Sequence, residues 1–417
     1  MPRSNSLPVF VFTACACSTF SLHAQGSPFQ TPGMPLVKQP VAGQGDGKAD
    51  GQSAGQSTRF SSEFNPAISF ALDGLLTHAD FDGDEDGFEL ELRSGEIGIN
   101  AWVDPRAWAY GIVVFAEDEV ALEEGAVHFT GLGGHRVLRA GRFFVDFGKQ
   151  MQAHEHELRT IERPAVLREY LGAELAGDGV QFDDWHSLGD ETVLRYSIGV
   201  FHSLLGEVEE EAGSPFAVDS ELKELDELGY TARLTAFTEV GDAGTLQLGA
   251  SARLIPDFGF ELDNGASAEG LDNSVLGLDL TYGWADETNT RRFTAGLEWL
   301  FDAGDNGAAV NDSGTPLDPS DDTIDTFDET VNGYYGYVDY AWNQQQSAGI
   351  QHSWLELPEP GEPTLSELDV YYTHNLSEFG RLRLGLTFVD AESGADGMIA
   401  ALQYTNVIGA HGHGVNF

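Results

Sequence analysis

"TLQLGASARLI", Thr245 to Ile255, alternates without a break. Leu246, Leu248, Ala250, Ala252 and Leu254 share one face, and Thr245, Gln247, Gly249, Ser251 and Arg253 share the other. A period of two is that of a strand, and a strand with one wholly apolar and one wholly polar face needs a different medium on each side. The pattern recurs. Leu382, Leu384, Leu386 and Phe388 oppose Arg381, Arg383, Gly385 and Thr387, and Phe293, Ala295, Leu297, Trp299 and Phe301 form a third apolar face. Tyr334, Val338, Tyr340 and Trp342 put aromatic rings on one side of another segment, as strands do where they cross a membrane interface.

Soluble sandwiches alternate too, so the rhythm of the connections decides. Alternating segments start near Pro66, Phe88, Arg106, Val120, Arg136, Asp178, Thr192, Gly229, Thr245, Ser274, Thr290, Gly333, Ser347, Glu367, Arg381 and Met398. Every second connection is short: Asp104-Pro105, Gly131 to His135, Ser187 to Glu191, Gly241 to Gly244, Ala285 to Asn289, Asn343 to Gln346 and Ser377 to Gly380. The others include long acidic stretches at 149–177, 205–228, 258–273 and 303–332. This predicts an all-β fold, a transmembrane antiparallel β-barrel of about 16 strands with short periplasmic turns and long acidic extracellular loops. An even strand count and the terminal Phe417 agree with it. Closure satisfies every backbone hydrogen bond in lipid, and a barrel of this size encloses water rather than packed side chains.

Residues 1–24 read as a signal peptide, with Arg3, the apolar run Leu7 to Leu22 and a cut after Ala24. Residues 25–60, rich in Gly, Gln and Pro, read as a disordered leader, and 61–417 as the barrel. Cys15 and Cys17 are the chain's cysteines and leave with the signal, which excludes disulfides and thiolate metal sites from the mature protein. After the signal no apolar run is long enough for a spanning helix. The balance of 21 basic against 68 acidic residues argues against nucleic acid and anionic lipid as partners, since phosphate would be repelled. The expected surroundings are the lipid of a Gram-negative cell outer membrane, with the barrel alone or as a homotrimer.

"DFDGDEDG", Asp80 to Gly87, carries Asp82, Asp84 and Asp86 at positions 1, 3 and 5 of a calcium-binding loop and Gly87 at position 6, but Arg93 stands where the closing bidentate Glu belongs. An acidic hairpin tip that binds divalent cations loosely is the reading. On the inner faces, alternation places Arg93, Arg195, Arg233, Arg253, Arg292, Arg381 and Arg383 with Glu89, Glu91, Glu239, Glu298, Asp339 and Asp369. These are either cross-strand ion pairs stiffening the wall or a charged track that sorts ions.

The loop after the fifth strand, Gly148 to Asp178, holds His154 and His156 around Glu155, a spacing at which two imidazoles can meet a borderline metal such as zinc. Two ligands do not complete a site. Ile161, Pro164, Ala165, Val166, Leu167, Tyr170 and Leu171 are apolar for an exposed loop, so the segment is expected to fold against the inner wall and narrow the lumen.

"LRAGRFFVDFGKQMQAHEHELRTIERPAVLREYLGAELAGDGVQF", Leu138 to Phe182, with "FNPAISFALDG", Phe64 to Gly74, and the tail "GAHGHGVNF", resembles the zinc-regulated outer-membrane porin/receptor-like family, related in architecture to phosphate-selective porins. The resemblance implies an outer-membrane barrel linked with metal uptake. By position it points to His154 and His156, to Arg163-Pro164 as a structural turn, and to His411 and His413 as a second pair. Lys38, Lys48, Lys149 and Lys223 are the only lysines, so a lysine-lined phosphate path is not supported. The short leader leaves no room for the plug of an energy-coupled receptor.

The expected function is a porin-like channel for passive passage of small solutes or ions, divalent metal cations among them, with no cofactor beyond weakly held calcium or zinc. The acidic mouth around Glu207 to Glu227 favours cations. No Gly-x-Ser-x-Gly elbow, His-Glu-x-x-His or phosphate loop is present, and the chain is expected not to be an enzyme. The alternatives are a secreted acidic β-protein for calcium binding or adhesion, and an outer-membrane barrel hydrolase with dispersed catalytic residues.

Overall fold

A computed structural model describes residues 66–409 apart from 82–86, 117–118, 190, 203, 205–215, 218–223, 226, 242, 262–266 and 312–322. The segments expected to be signal and leader, Asp82, Asp84, Asp86, most of the 205–228 loop, His411 and His413 lie outside the described residues. The strands are β1 (Ala67–Phe81), β2 (Gly87–Asp104), β3 (Ala107–Ala116), β4 (Glu119–Phe129), β5 (Val137–Phe144), β6 (Ala176–Leu188), β7 (Thr192–Phe201), β8 (Phe216–Ala217), β9 (Gly229–Val240), β10 (Gly244–Glu261), β11 (Ser267–Ala285), β12 (Arg292–Asn311), β13 (Thr323–Asp328), β14 (Val331–Ala341), β15 (Gln346–Glu356), β16 (Thr364–Asn375), β17 (Gly380–Ala391) and β18 (Gly397–Gly409).

All pairings are antiparallel, and β1 bonds β2 on one edge and β18 on the other, so that Leu75 faces Glu91 and Gln403 and the sheet closes. The wall is a closed barrel of 16 strands. β8 and β13 are short additions paired to the far ends of β10 and β12.

The outer face carries the apolar residues that alternation assigned to it. Leu278 is 57 % exposed, Leu384 53 % and Phe388 44 %, each flanked by neighbours pointing inward. A belt of this size cannot face water and matches the lipid-facing band of a membrane barrel. Its rims are aromatic. At the long-loop end Tyr334 lies 6.0 Å from both Trp299 and Trp354, and at the short-turn end Trp342 stacks on Tyr372. Tyr334 of β14 and Trp342 just past its end are eight residues apart, about 26 Å along a strand and about 20 Å along the membrane normal at the usual tilt, close to the height of an outer-membrane apolar band.

Two expectations need correction. The connections expected at 258–273 and 303–332 are partly strand, because β10 runs on to Glu261, β11 starts at Ser267, and β12 continues to Asn311. Beyond the lipid a hairpin keeps its backbone ladder without an apolar face, and Asp257, Glu261, Glu269 and Asp305 end the alternation before they end the strand. The loop after β5 also contains a helix, α1 (Ala165–Leu171), which begins directly after Pro164. Seven residues, five of them buried, are too few to show a helical period.

Two irregularities in the wall re-aim side chains into the lumen. In β2 the register shifts at Arg93, which has no cross-strand partner between Leu92 opposite Gly74 and Ser94 opposite Asp73. In β4 it shifts at Glu123, between Leu122 opposite Val113 and Glu124 opposite Ile112. Each bulge adds one residue and exchanges the faces beyond it. Leu90 and Leu92 therefore point outward on one side of Arg93 while Ile97 and Ile99 do so on the other, and Glu96 turns into the barrel, 1 % exposed.

Candidate functional site

The segment between β5 and β6 leaves the wall and returns at the same point, where the Val145 amide donates to the Leu175 carbonyl at 2.9 Å. Between them the chain folds into the lumen as a compact Ω-like loop packed by its own side chains. Phe147, Met151, Leu158, Val166, Leu167 and Leu171 are at most 1 % exposed. Gly148 makes the first turn at a φ of 55°, and a Cβ there would strike the Glu298 carboxylate. Only glycine meets both demands cheaply.

The wall holds the loop on several sides. From β10 and β12, Ser251 Oγ accepts the Gly148 amide at 3.0 Å and Glu298 accepts the Lys149 amide at 3.1 Å. Ser353 of β15 accepts the Val166 amide at 3.2 Å, and Tyr170 donates to the Glu356 carbonyl at 2.7 Å. From β17, Arg383 donates to the Thr160 carbonyl at 2.8 Å and Arg381 to that of His156. Arg93, inward by alternation and sitting at the bulge, donates to the Ile161 carbonyl at 2.8 Å and pairs with Glu155 at 2.6 Å. Ile161 packs with Leu75 and Ala401, and Arg163 ties the loop to itself by donating to the carbonyls of Gln150 and Ala153, both at 2.5 Å.

His154 and His156 face β2 and β4, each 1 % exposed. Nδ1 of His154 lies 3.5 Å from Glu96 Oε2 and Nδ1 of His156 lies 2.7 Å from Glu96 Oε1. The other ring nitrogens meet two further carboxylates: His154 Nε2 stands 3.6 Å from Glu124, and His156 Nε2 stands 3.7 Å from Glu157. Burial pushes the His156 imidazole down to about 3, with Asp73 acting in the opposite sense. Sequence reading found the two histidines and missed Glu96 and Glu124. Uninterrupted alternation from Leu90 and Leu92 puts Glu96 on the lipid face. The signal that reveals it is the change of apolar parity from Leu90 and Leu92 to Ile97 and Ile99.

On the other flank the lumen stays open. A cavity of about 940 Å³ lies between the loop and the short-turn end, bounded by β9 to β12 and β14 to β17. Its charged lining is five basic side chains, Lys149, Arg159, Arg292, Arg381 and Arg383, against the acidic Glu157, Asp339 and Glu378. Burial lowers the Lys149 ammonium to about 8; Asp279 and Glu298 work against that shift, and Arg233 and Arg159 add to it. Arg159 sits over the Tyr337 ring at 4.4 Å.

Of the other arginines expected inside, Arg195 pairs with Asp146 of the loop at 2.8 Å and with Asp183 at 2.5 Å. Arg233 pairs with Asp279 at 2.8 Å, and Arg253 donates to the Asn273 side chain. These three stiffen the wall and loop; Arg381 and Arg383 both hold the loop and line the chamber, and Arg292 lines it as well.

No family model matches the chain. It is 25 % identical over 341 residues to an uncharacterised protein of Aquifex aeolicus, covering 77 % of this chain and 69 % of that one. Among solved structures, an anion-selective porin from Comamonas acidovorans superposes with a TM-score of 0.53 at 10 % identity, covering 82 % of this chain and 99 % of the porin. In-vitro folded OmpT, an outer membrane protein of Vibrio cholerae, gives 0.51 at 9 % identity over 82 % and 98 %. OprB of Pseudomonas putida at high pH gives 0.51 at 10 % over 83 % and 94 %. At these identities the shared feature is the fold, that of Gram-negative outer-membrane barrels.

Proposed function

We propose that this chain is an outer-membrane, porin-like channel for the passive passage of small solutes, narrowed by the inward loop. The observation that carries the reading is the water-accessible chamber of about 940 Å³ inside a closed barrel, with a buried, wall-anchored loop as its ceiling. A side-chain-filled barrel would have no such space.

The chamber's excess of basic groups favours solutes carrying an anionic group. Charges lining a narrow, low-dielectric passage act on every ion that passes, while those of an acidic mouth are screened within about 10 Å at 0.1 M salt. Divalent metal cations are therefore poorer cargo than anions, although the resemblance to a zinc-regulated family links such barrels with metal uptake. Purified protein in planar bilayers should give discrete current steps, and replacing residues 150–174 by a short Gly-Ser linker should raise the unitary conductance at least about twofold, because the loop sets the narrowest cross-section. Absence of current from both proteins contradicts the channel reading. Equal conductance contradicts the role of the loop.

A further inference from the structure

We propose that Glu96, His154 and His156 bind one borderline divalent metal ion of the zinc class, which fastens the inward loop to the barrel wall at β2. The donors come from two segments far apart in sequence, and one ligand atom from each can be chosen so that all lie within 4.8 Å of one another. Tetrahedral zinc at about 2.0 Å from each ligand needs donor atoms roughly 3.3 Å apart, so the widest separation must close and the 2.7 Å contact of His156 with Glu96 must open, adjustments that small side-chain rotations supply.

The arrangement around the donors is the stronger argument. Both imidazoles turn Nδ1 to the same carboxylate, Glu96, and both turn Nε2 to a second one, Glu124 for His154 and Glu157 for His156. Metal-bound histidines characteristically present their remote ring nitrogen to a carboxylate, which fixes the tautomer and raises the basicity of the ligating nitrogen. Glu96, His154 and His156 are each 1 % exposed, so the wall and the folded loop already hold them in place. Carboxylates gathered this closely, Glu96 and Glu124 both buried and Glu157 beside them, repel each other, and a divalent cation offsets that repulsion. Two imidazoles and one carboxylate suit zinc, cobalt or nickel, while calcium would require six to eight oxygens. Three protein ligands leave a fourth position for water. Because the pocket is closed by the loop, the ion enters as the loop folds and exchanges slowly afterwards.

Metal binding itself does not depend on the channel reading, but its effect on current does. The protein is refolded into detergent with zinc or with a chelator, stripped of loose metal on a chelating resin, and assayed for bound zinc by elemental analysis. Glu96→Gln and the double variant H154A/H156A run alongside, and barrel formation in each is checked by heat-modifiable migration. The parent should retain one zinc per chain and both variants essentially none, and Glu124→Gln should bind about 10- to 100-fold more weakly. Cobalt(II) on the parent alone should give the intense visible bands of a tetrahedral N and O site, which requires no variant to fold. Retention of zinc by the parent together with lower current than in chelator supports both the site and the loop's role. Retention with unchanged current keeps the site and contradicts the narrowing role of the loop. A parent that refolds in zinc yet holds none, or variants that hold as much as the parent, overturns the site and leaves Glu96 as a hydrogen-bonding anchor.

Discussion

The two flanks of the inward loop differ in almost every physical respect. Toward β1 to β4, Glu96, His154, His156 and Ile161 are sealed between loop and wall, and Arg93 reaches in to pair with Glu155. Toward β9 to β17, the same loop presents Lys149, Gln152 and Arg159 to an open, polar chamber. The sealed flank is anchored by bulges that turn consecutive or out-of-phase residues inward. The open flank is lined by the short-turn halves of strands whose alternation is unbroken there, with one polar residue in two facing water. Regular and irregular wall both hold the loop, but the sealed pocket forms where the wall is bulged and the open chamber where it is regular.

The largest expected effect is on the sealed flank. Arg93→Ala leaves Glu155 buried without its cation, and removing one partner of a buried pair costs about 3–5 kcal/mol. Calorimetry should show a lower-melting or split transition, with noisier single-channel current as the loop loosens. An unchanged melting profile would mean that the flank is held by packing alone. On the open flank, Arg292→Glu brings the chamber's five basic and three acidic groups to four of each and should move the reversal potential in a salt gradient toward cations without a change in melting. A shift of melting instead of selectivity would show that the arginine is structural. The smallest effect is that of pH. The Lys149 ammonium titrates at about 8, so the chamber carries this charge at neutral pH and loses it above. Anion preference should fall between about pH 7 and about pH 9, well below the range of an ordinary lysine near 10.4. Lys149→Met should remove that dependence and sit at the high-pH value throughout.

Fold and strand order were legible in the sequence because a membrane barrel writes its register into every second residue. Thr245 to Ile255 shows its faces as plainly in the text as in the closed sheet, where Leu248 is 47 % and Leu254 43 % exposed. The inward turn of the loop after β5 was legible for the same reason: Val166, Leu167 and Leu171 are too apolar for water. The completed side-chain cluster was not. Glu96 and Glu124 lie beyond bulges, and one inserted residue reverses the parity on which every inner-face assignment rests. The helix Ala165–Leu171 was hidden by its shortness, and the extensions of β10 and β12 by the loss of an apolar face once strands leave the lipid.

The most direct test of one sealed and one open flank is cysteine accessibility during current recording on protein that begins after Ala24 and so carries no other cysteine. Thr245→Cys and Ser347→Cys place thiols in the chamber, whereas Ser69→Cys and Ser94→Cys place them on inner positions that are each 2 % exposed. A small charged methanethiosulfonate reagent should modify the chamber thiols quickly and reduce the current in steps, while the sealed thiols stay unmodified until the protein is denatured. Rapid block at Ser69→Cys and Ser94→Cys, with the chamber positions silent, would contradict the account and place the conducting path on the other side of the loop.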